Sequence, residues 1–399
     1  MGRTLARRVC LGVLAACAGL GALLLVSLVP GDATLMEMDF GQEYLLARAI
    51  LDGVDPYQPV QVLGTRYVGS TGYFDKPYPT PHPPTVGLLA LPLGWLSYPS
   101  AVRVWFGVEL VSLLIAVGLL VRGAGLPIRL RNAPLMALAL VAWPPVTLEL
   151  GLGQLMLPLL LGLAGAQLAL LGGRAALGGA LWGLTLLVKP IAWPWLIVLA
   201  WRRDWRSLAA AALVVLTGGV LSLLAIGVGP TTTYLTRVLP VMAGAFFTEP
   251  TNISLWTVAP RLGNATLSAV LPAAIVLVAL VWARRRAPLG ASLAMMTIVS
   301  LLVSPIVWHF YLVLALLPLA QIVAELWRHG LRRAEVAAGL GLLVLMSVSQ
   351  SGLIALGHGG PGMGIVLVPV LALALLGVLL ARLTHRAYLV DGDRARGAD

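Results

Sequence analysis

The chain has 399 residues, of which 59% are hydrophobic and only 11% charged, and its mean hydropathy is +0.93. This composition excludes a soluble enzyme, because apolar runs near the roughly 20 residues of a bilayer crossing recur along the whole length. The net charge of +11 would suit a nucleic-acid partner, but 20 of the 27 basic residues are arginines gathered in short clusters. These lie at Arg3/Arg7/Arg8, Arg122/Arg129/Arg131, Arg174, Arg202/Arg203/Arg206, Arg284 to Arg286, Arg328/Arg332/Arg333 and Arg382/Arg386/Arg394/Arg396. Arginines at the ends of apolar runs orient spans by the positive-inside rule and require no polyanion, so no nucleic-acid partner is expected.

Backbone inside hydrocarbon must satisfy its own hydrogen bonds, so runs of this length are helices. The expected fold is all-α, one polytopic membrane domain over residues 1–399. The first run, about Val9 to Val29, has the basic flank of a signal peptide. Its length, and the lack of a small-residue cleavage pattern before Asp32, make it a retained signal anchor. Cys10 and Cys17 both lie in it and supply neither a disulfide framework nor a zinc pattern. Spans are predicted near 9–29, 104–121, 134–150, 155–171, 175–188, 190–200, 207–228, 265–283, 289–303, 309–327, 335–356 and 363–383. That makes about twelve crossings, with both termini and the tail 384–399 cytoplasmic. The apolar stretch Thr85 to Leu96 is short and cut by Pro92, with Pro83 and Pro84 just before it. It reads as juxtamembrane or re-entrant.

Two extracytoplasmic loops stand out. Residues 30–103 hold seven of the 16 acids: Asp32, Glu37, Asp39, Glu43, Asp52, Asp55 and Asp75. Within this loop Phe40, Tyr44, Ala47 and Leu51 recur at helical spacing, which predicts a short amphipathic helix along the membrane surface. Gly53 stops it and Asp55-Pro56-Tyr57 begins a turn. The second loop, 229–264, is rich in Thr, Pro and Asn.

On this topology five polar segments converge on the extracytoplasmic face: Asp39, Gly153-Gln154, Lys189-Pro190, Asn252-Ile253-Ser254, and Ser304 to His309. Each has a plainer reading. Asp39 suits a helix N-cap, Lys189 a snorkelling lysine, His309 a satisfied core histidine, Gln154 a turn cap and Trp308 an interface aromatic. Asn252-Ile253-Ser254 and Asn264-Ala265-Thr266 match glycosylation sequons, a weak pattern. Yet Lys189 and Lys76 are the only lysines in an arginine-using chain. Together the five segments suit glycosyl transfer from a polyprenyl-phosphate sugar. Lys189, Arg237 and His309 are candidates for the departing phosphate, and a carboxylate for the general base. Glu43, Tyr57, Gln154, Asn252 and Trp308 are candidates for substrate contacts. No Walker A loop or HExxH motif is present. No metal ligand set and no cofactor is expected, although acidic loops leave a divalent ion open.

The chain resembles glycosyltransferase family 87 of the GT-C superfamily, the polyprenyl-phosphate-sugar-dependent mannosyl- and arabinosyltransferases of actinobacterial envelopes. The resemblance runs from Met38 to about Gln321. It rests on Asp39-Phe40 with Tyr44, Gly53 to Tyr57, Tyr78 with Pro83-Pro84, and Gly153-Gln154. It continues through Leu187 to Pro190 ahead of Trp201 to Arg206, Asn252 to Leu255, and Ser304 to His309. It implies a GT-C-type helix bundle with juxtamembrane helices in the first loop, and an Asp base mapping to Asp39. Lys189 and His309 would then stand near the phosphate. It also implies inversion, no nucleotide sugar, mannose as the expected sugar, and a glycolipid or polysaccharide acceptor at the plasma membrane. Glu37 and Glu43 flank Asp39, so the base assignment rests on position. The rival class is a secondary transporter or flippase of envelope lipids. Transporters place ionisable residues near the midplane, whereas Glu109 and Glu149, inside predicted spans, both lie toward the outer end.

Overall fold

A computed structural model describes residues 2–31, 35, 38–69, 76–126, 128–246, 251–257, 266–284, 287–329, 332–349, 352 and 363–396. It is helical, with no strand among the described residues. Among the described residues five helices are long and apolar enough to cross a membrane, or six if one bent pair counts as a span, which marks a multi-pass membrane protein. The other apolar helices among the described residues are shorter, among them Met156–Leu171, Ala175–Val188 and Leu289–Val303, so five or six of the roughly twelve expected crossings have helices of full crossing length.

The helix α1 (Gly2–Leu28) packs on α7 (Ala133–Val141) and, from Leu11 onward, leaves most of its side chains facing outward. The first loop follows as α2 (Gly41–Leu51), α3 (Val60–Tyr67), α4 (Pro84–Leu89) and α5 (Leu91–Gly94). Contrary to the expectation of a surface helix, α2 is buried along nearly its whole length. The reason is the pair α4–α5, which closes over it. The ring of Pro92 follows a break at Ala90, and Gly87 and Gly94 let the short helices approach Ile50, Leu46, Leu51 and Ala47 without a side chain between. Tyr44 Oη donates to the Leu96 carbonyl at 3.0 Å and Arg48 to that of Gly94 at 3.1 Å. At six and four residues, α4 and α5 are far below crossing length.

The span expected at 134–150 is broken instead. Helix α7 ends at Val141, and α8 (Pro144–Leu152) leaves it at 83°. Pro144 and Pro145 explain the break: the residue before proline is driven out of the helical region, and Trp143 sits at φ −84°, ψ 121°. Helices α6 (Tyr98–Gly123), α9 (Met156–Leu171), α10 (Ala175–Val188) and α12 (Trp205–Ile226) pack in that order, each against the next, and α11 (Trp195–Trp201) lies against α12. Residues 229–245, expected as loop, are helical: α13 (Val228–Thr233), a π turn (Tyr234–Val238) and α14 (Leu239–Ala245). The remaining helices are α15 (Leu267–Arg284), α16 (Leu289–Val303), α17 (Leu316–His329), α18 (Arg333–Met346) and α19 (Met363–Arg396). The last of these runs on through the stretch expected as a separate tail from 384.

Lipid is as apolar as leucine, so helices in a bilayer associate where small residues admit close backbone packing. On α10, Gly179 and Gly183 lie one turn apart and face α12. A Cβ at Gly179 would stand 2.1 Å from the Ser207 carbonyl oxygen, and one at Gly183 2.9 Å from that of Ala211. Because both obstacles are backbone, Gly179→Val is expected to destabilise the fold by roughly 1–3 kcal/mol. That would be read as a lower melting midpoint in detergent. Gly219→Ala, with nothing within 4 Å of the added carbon, is expected to leave the midpoint unchanged.

Candidate functional site

Three of the predicted segments meet through one side chain. Gln154 donates from Nε2 to Asp39 Oδ2 at 2.6 Å and accepts at Oε1 from Lys189 Nζ at 3.1 Å. The amide is buried, whereas Asp39 and Lys189 are residues of intermediate burial. Each arrives by a local device. Asp39 immediately precedes α2 but does not cap it, since no side-chain cap bond is present there. Gln154 follows Gly153, which takes φ +66° where α8 ends. A Cβ at Gly153 would meet Met38 Cε at 2.9 Å and Phe40 Cβ at 3.0 Å, so glycine fits both the turn and the close approach. Trp105 Nε1 donates to the Gly153 carbonyl at 2.9 Å and stacks on Phe40, locking the Asp39 strand of chain against this turn. Lys189 closes α10 with φ −147° and ψ 119°, the extended state that Pro190 imposes on its predecessor. Its Nζ lies 4.9 Å from the centre of the Tyr311 ring and 5.9 Å from that of Phe310.

Behind this chain lies a residue the sequence reading passed over. His82 Nε2 is 3.2 Å from Glu43 Oε1, and both side chains are buried. Tyr57 holds the histidine segment by donating to the His82 carbonyl at 3.1 Å and stacks on Tyr234 of the π turn. Burial pushes the Glu43 carboxyl up to about 8 against the pull of Lys189, and pushes His82 well below its ordinary value, with Lys189 adding to the effect. Asp39 is also raised by burial, while Lys76, Gln154 and Lys189 act to lower it. Lys76, noted above only as one of the two lysines, was not among the expected site residues. The signal that could have found it was the rarity of lysine.

The other expected residues are placed differently. Asn252 is fully buried and its amide is spent: Nδ2 donates to the carbonyls of Phe246 (3.0 Å) and Pro305 (2.9 Å), and Oδ1 accepts from Ser254 N (3.2 Å) and Val307 N (2.9 Å). It pins the fifth segment in place and has no atom left for a substrate or a glycan. Asn264 and Glu37 lie outside the described residues. His309 is buried with neither ring nitrogen in a hydrogen bond of ordinary geometry, and its neighbours Phe310 and Tyr311, rather than His309, meet Lys189. Trp308 packs edge-on against Phe246 with centroids 5.5 Å apart. Arg237 is exposed on the π turn, with no hydrogen bond or ion pair to the Asp39–Gln154–Lys189 chain among the described residues. No group of three or more His, Cys, Asp or Glu residues among those described is arranged to hold a metal ion. A cavity of about 490 Å³ opens elsewhere, between α18 and α19, where Leu342, Leu345, Leu375 and Val378 line it.

The Glu43 shift has a consequence for stability. Its folded value lies above its ordinary 4.5, so between about pH 4.5 and 8 the folded chain keeps a proton that the unfolded chain has released. Stability therefore falls as pH rises through that window and levels off above it. Thermal melts of detergent-solubilised Glu43→Gln across the window are expected to show a shallower decline than the unsubstituted chain.

A profile of glycosyltransferase family 87 matches residues 80–305, more than half of the chain. Gln154 and Lys189 fall inside that stretch, whereas Asp39 and His309 fall outside it. Two curated proteins of Mycobacterium tuberculosis, from strains CDC 1551 / Oshkosh and ATCC 25618 / H37Rv, are each named alpha-(1->3)-arabinofuranosyltransferase. Each is 32% identical to this chain over 178 residues, covering 43% of it and 40% of the relative. The aligned stretch thus spans well under half the length of these relatives, and their names give no support to the expected mannose. No solved structure matches. By the extent of the profile match, the chain belongs to glycosyltransferase family 87.

Proposed function

We propose that the chain transfers a sugar from a polyprenyl-phosphate-linked donor to a hydroxyl of a glycolipid or glycan acceptor, with inversion, at the extracytoplasmic face of the plasma membrane. The observation that carries this reading is the Asp39–Gln154–Lys189 chain, a carboxylate and an ammonium held apart by one amide. Inversion requires the acceptor oxygen to approach the anomeric carbon from the side opposite the phosphate. Asp39 takes the hydroxyl proton as the new C–O bond forms. The old C–O bond breaks toward the phosphate, whose developing charge Lys189 receives. A spacer between base and cation suits this geometry, because a direct ion pair would occupy both groups. No step runs through a metal. Among sugars, the names of the two relatives favour arabinofuranose over mannose. Family membership leaves the transporter reading without support.

The test is transfer in proteoliposomes from polyprenyl-phosphoarabinose and polyprenyl-phosphomannose to a membrane-lipid acceptor pool. Asp39→Asn is expected to lower kcat by about 10²- to 10⁴-fold, the usual contribution of a general base. Lys189→Gln is expected to lose about 10²- to 10³-fold, the scale of a charge-stabilising contact. A folded Asp39→Asn that keeps its rate would overturn the base assignment.

A further inference from the structure

Glu109 and Glu149 are fully buried acids inside the apolar helices, and the mechanism above uses neither. Glu149 is the more informative of the two. Its backbone carbonyl accepts from Gly153 N at 2.9 Å and Gln154 N at 3.3 Å. Its side-chain Oε1 accepts from Leu157 N at 3.1 Å and, more closely, from Met156 N. Four backbone donors of the 153–157 turn thus converge on this one residue. The first turn of a helix leaves its N–H groups unpaired, and a carboxylate is their best acceptor. No side chain caps α9 at Leu155, and the acid that does this work comes from the preceding helix across the turn. Gln154 lies in the middle of that clamp.

We propose that Glu149 is a positioning residue for the transfer reaction: by holding the 153–157 turn from both sides, it keeps the Gln154 amide between Asp39 and Lys189. This rests on the assignment of Asp39 as base. If the turn loosens, the amide withdraws, and the carboxylate and ammonium it separates are free to close into a direct ion pair. That pair costs the reaction twice, because a carboxylate neutralised by an adjacent ammonium is a weaker base, and the ammonium is no longer offered to the phosphate. Asp39 is faced by Gln42 and Glu43 from α2, Lys76 from the first loop, Glu149 from α8, Gln154 from the α8–α9 turn, and Lys189 from the end of α10. Of these groups, only Gln154 bonds both Asp39 and Lys189 directly.

The experiment is the pH profile of kcat/KM for transfer, measured with polyprenyl-phosphoarabinose on the full chain in proteoliposomes. Glu149→Leu is expected to lower kcat by about 10- to 100-fold, the scale of a displaced catalytic geometry, and to move the acidic limb to lower pH. Gln154→Leu is expected to move it in the same direction, and the double variant to be no worse than the worse single one. Glu149→Gln keeps a carbonyl that can accept both N–H groups and is expected to recover most of the rate. Should Glu149→Leu fail to fold, Glu149→Asp, charged but too short to reach the turn, is expected to show the same shift. An unmoved acidic limb, fully additive losses, or a Glu149→Gln as slow as Glu149→Leu would each overturn the proposal. Asp39→Asn in the same assay separates the two claims: retained activity there defeats the base assignment itself, whereas its loss beside a normal Glu149→Leu defeats only the positioning role.

Discussion

A carboxylate and an ammonium at neighbouring positions in a low-dielectric setting pair directly unless something holds them apart, and here the Gln154 amide does so. Its two ends match its two neighbours: the NH2 faces the acid and the carbonyl faces the cation. Reversed, both contacts would repel, so the orientation of the amide follows from the charges it separates. Much of the surrounding architecture serves to keep that amide where it is.

The supports come from distant parts of the chain. Gly153 provides the left-handed turn and the space for Met38 and Phe40, Trp105 fastens the turn from α6, and Glu149 gathers its N–H groups. Pro190 holds Lys189 extended, and the aromatic pair Phe310 and Tyr311 gives the ammonium a face to rest against. Asn252 fixes the position of that aromatic segment by bonding Pro305 and Val307. Within the first loop α4 and α5 cover α2, and the segment leading into α4 brings His82 to Glu43.

Composition and apolar run length made the helical membrane class legible, and residue rarity singled out Lys189. Asp39 was legible from its place in the first loop and from the family resemblance, and Gln154 as a polar residue between two apolar runs. What periodicity could not reveal was partnership across more than a hundred residues, such as Gln154 with Asp39. The bend at Trp143 was written in Pro144-Pro145 but was masked by the hydrophobicity on both sides. Asn252 looked chemical as one of the polar segments placed on the extracytoplasmic face, yet its polarity is consumed by four backbone partners. His82 was overlooked because the prolines around it read as turn punctuation. Glu149 was visible only as an oddity inside a span, since its role depends on the three-dimensional path of the next turn.

The most direct test of the account is a structure of the chain with polyprenyl phosphate, the lipid product, bound in a membrane mimetic. The account predicts the phosphate within hydrogen-bond reach of Lys189, with Gln154 still donating to Asp39 and open space for an acceptor hydroxyl beside the carboxylate. A phosphate held elsewhere, for instance at the mouth of the α18–α19 cavity near Arg382, with Lys189 untouched, would contradict it.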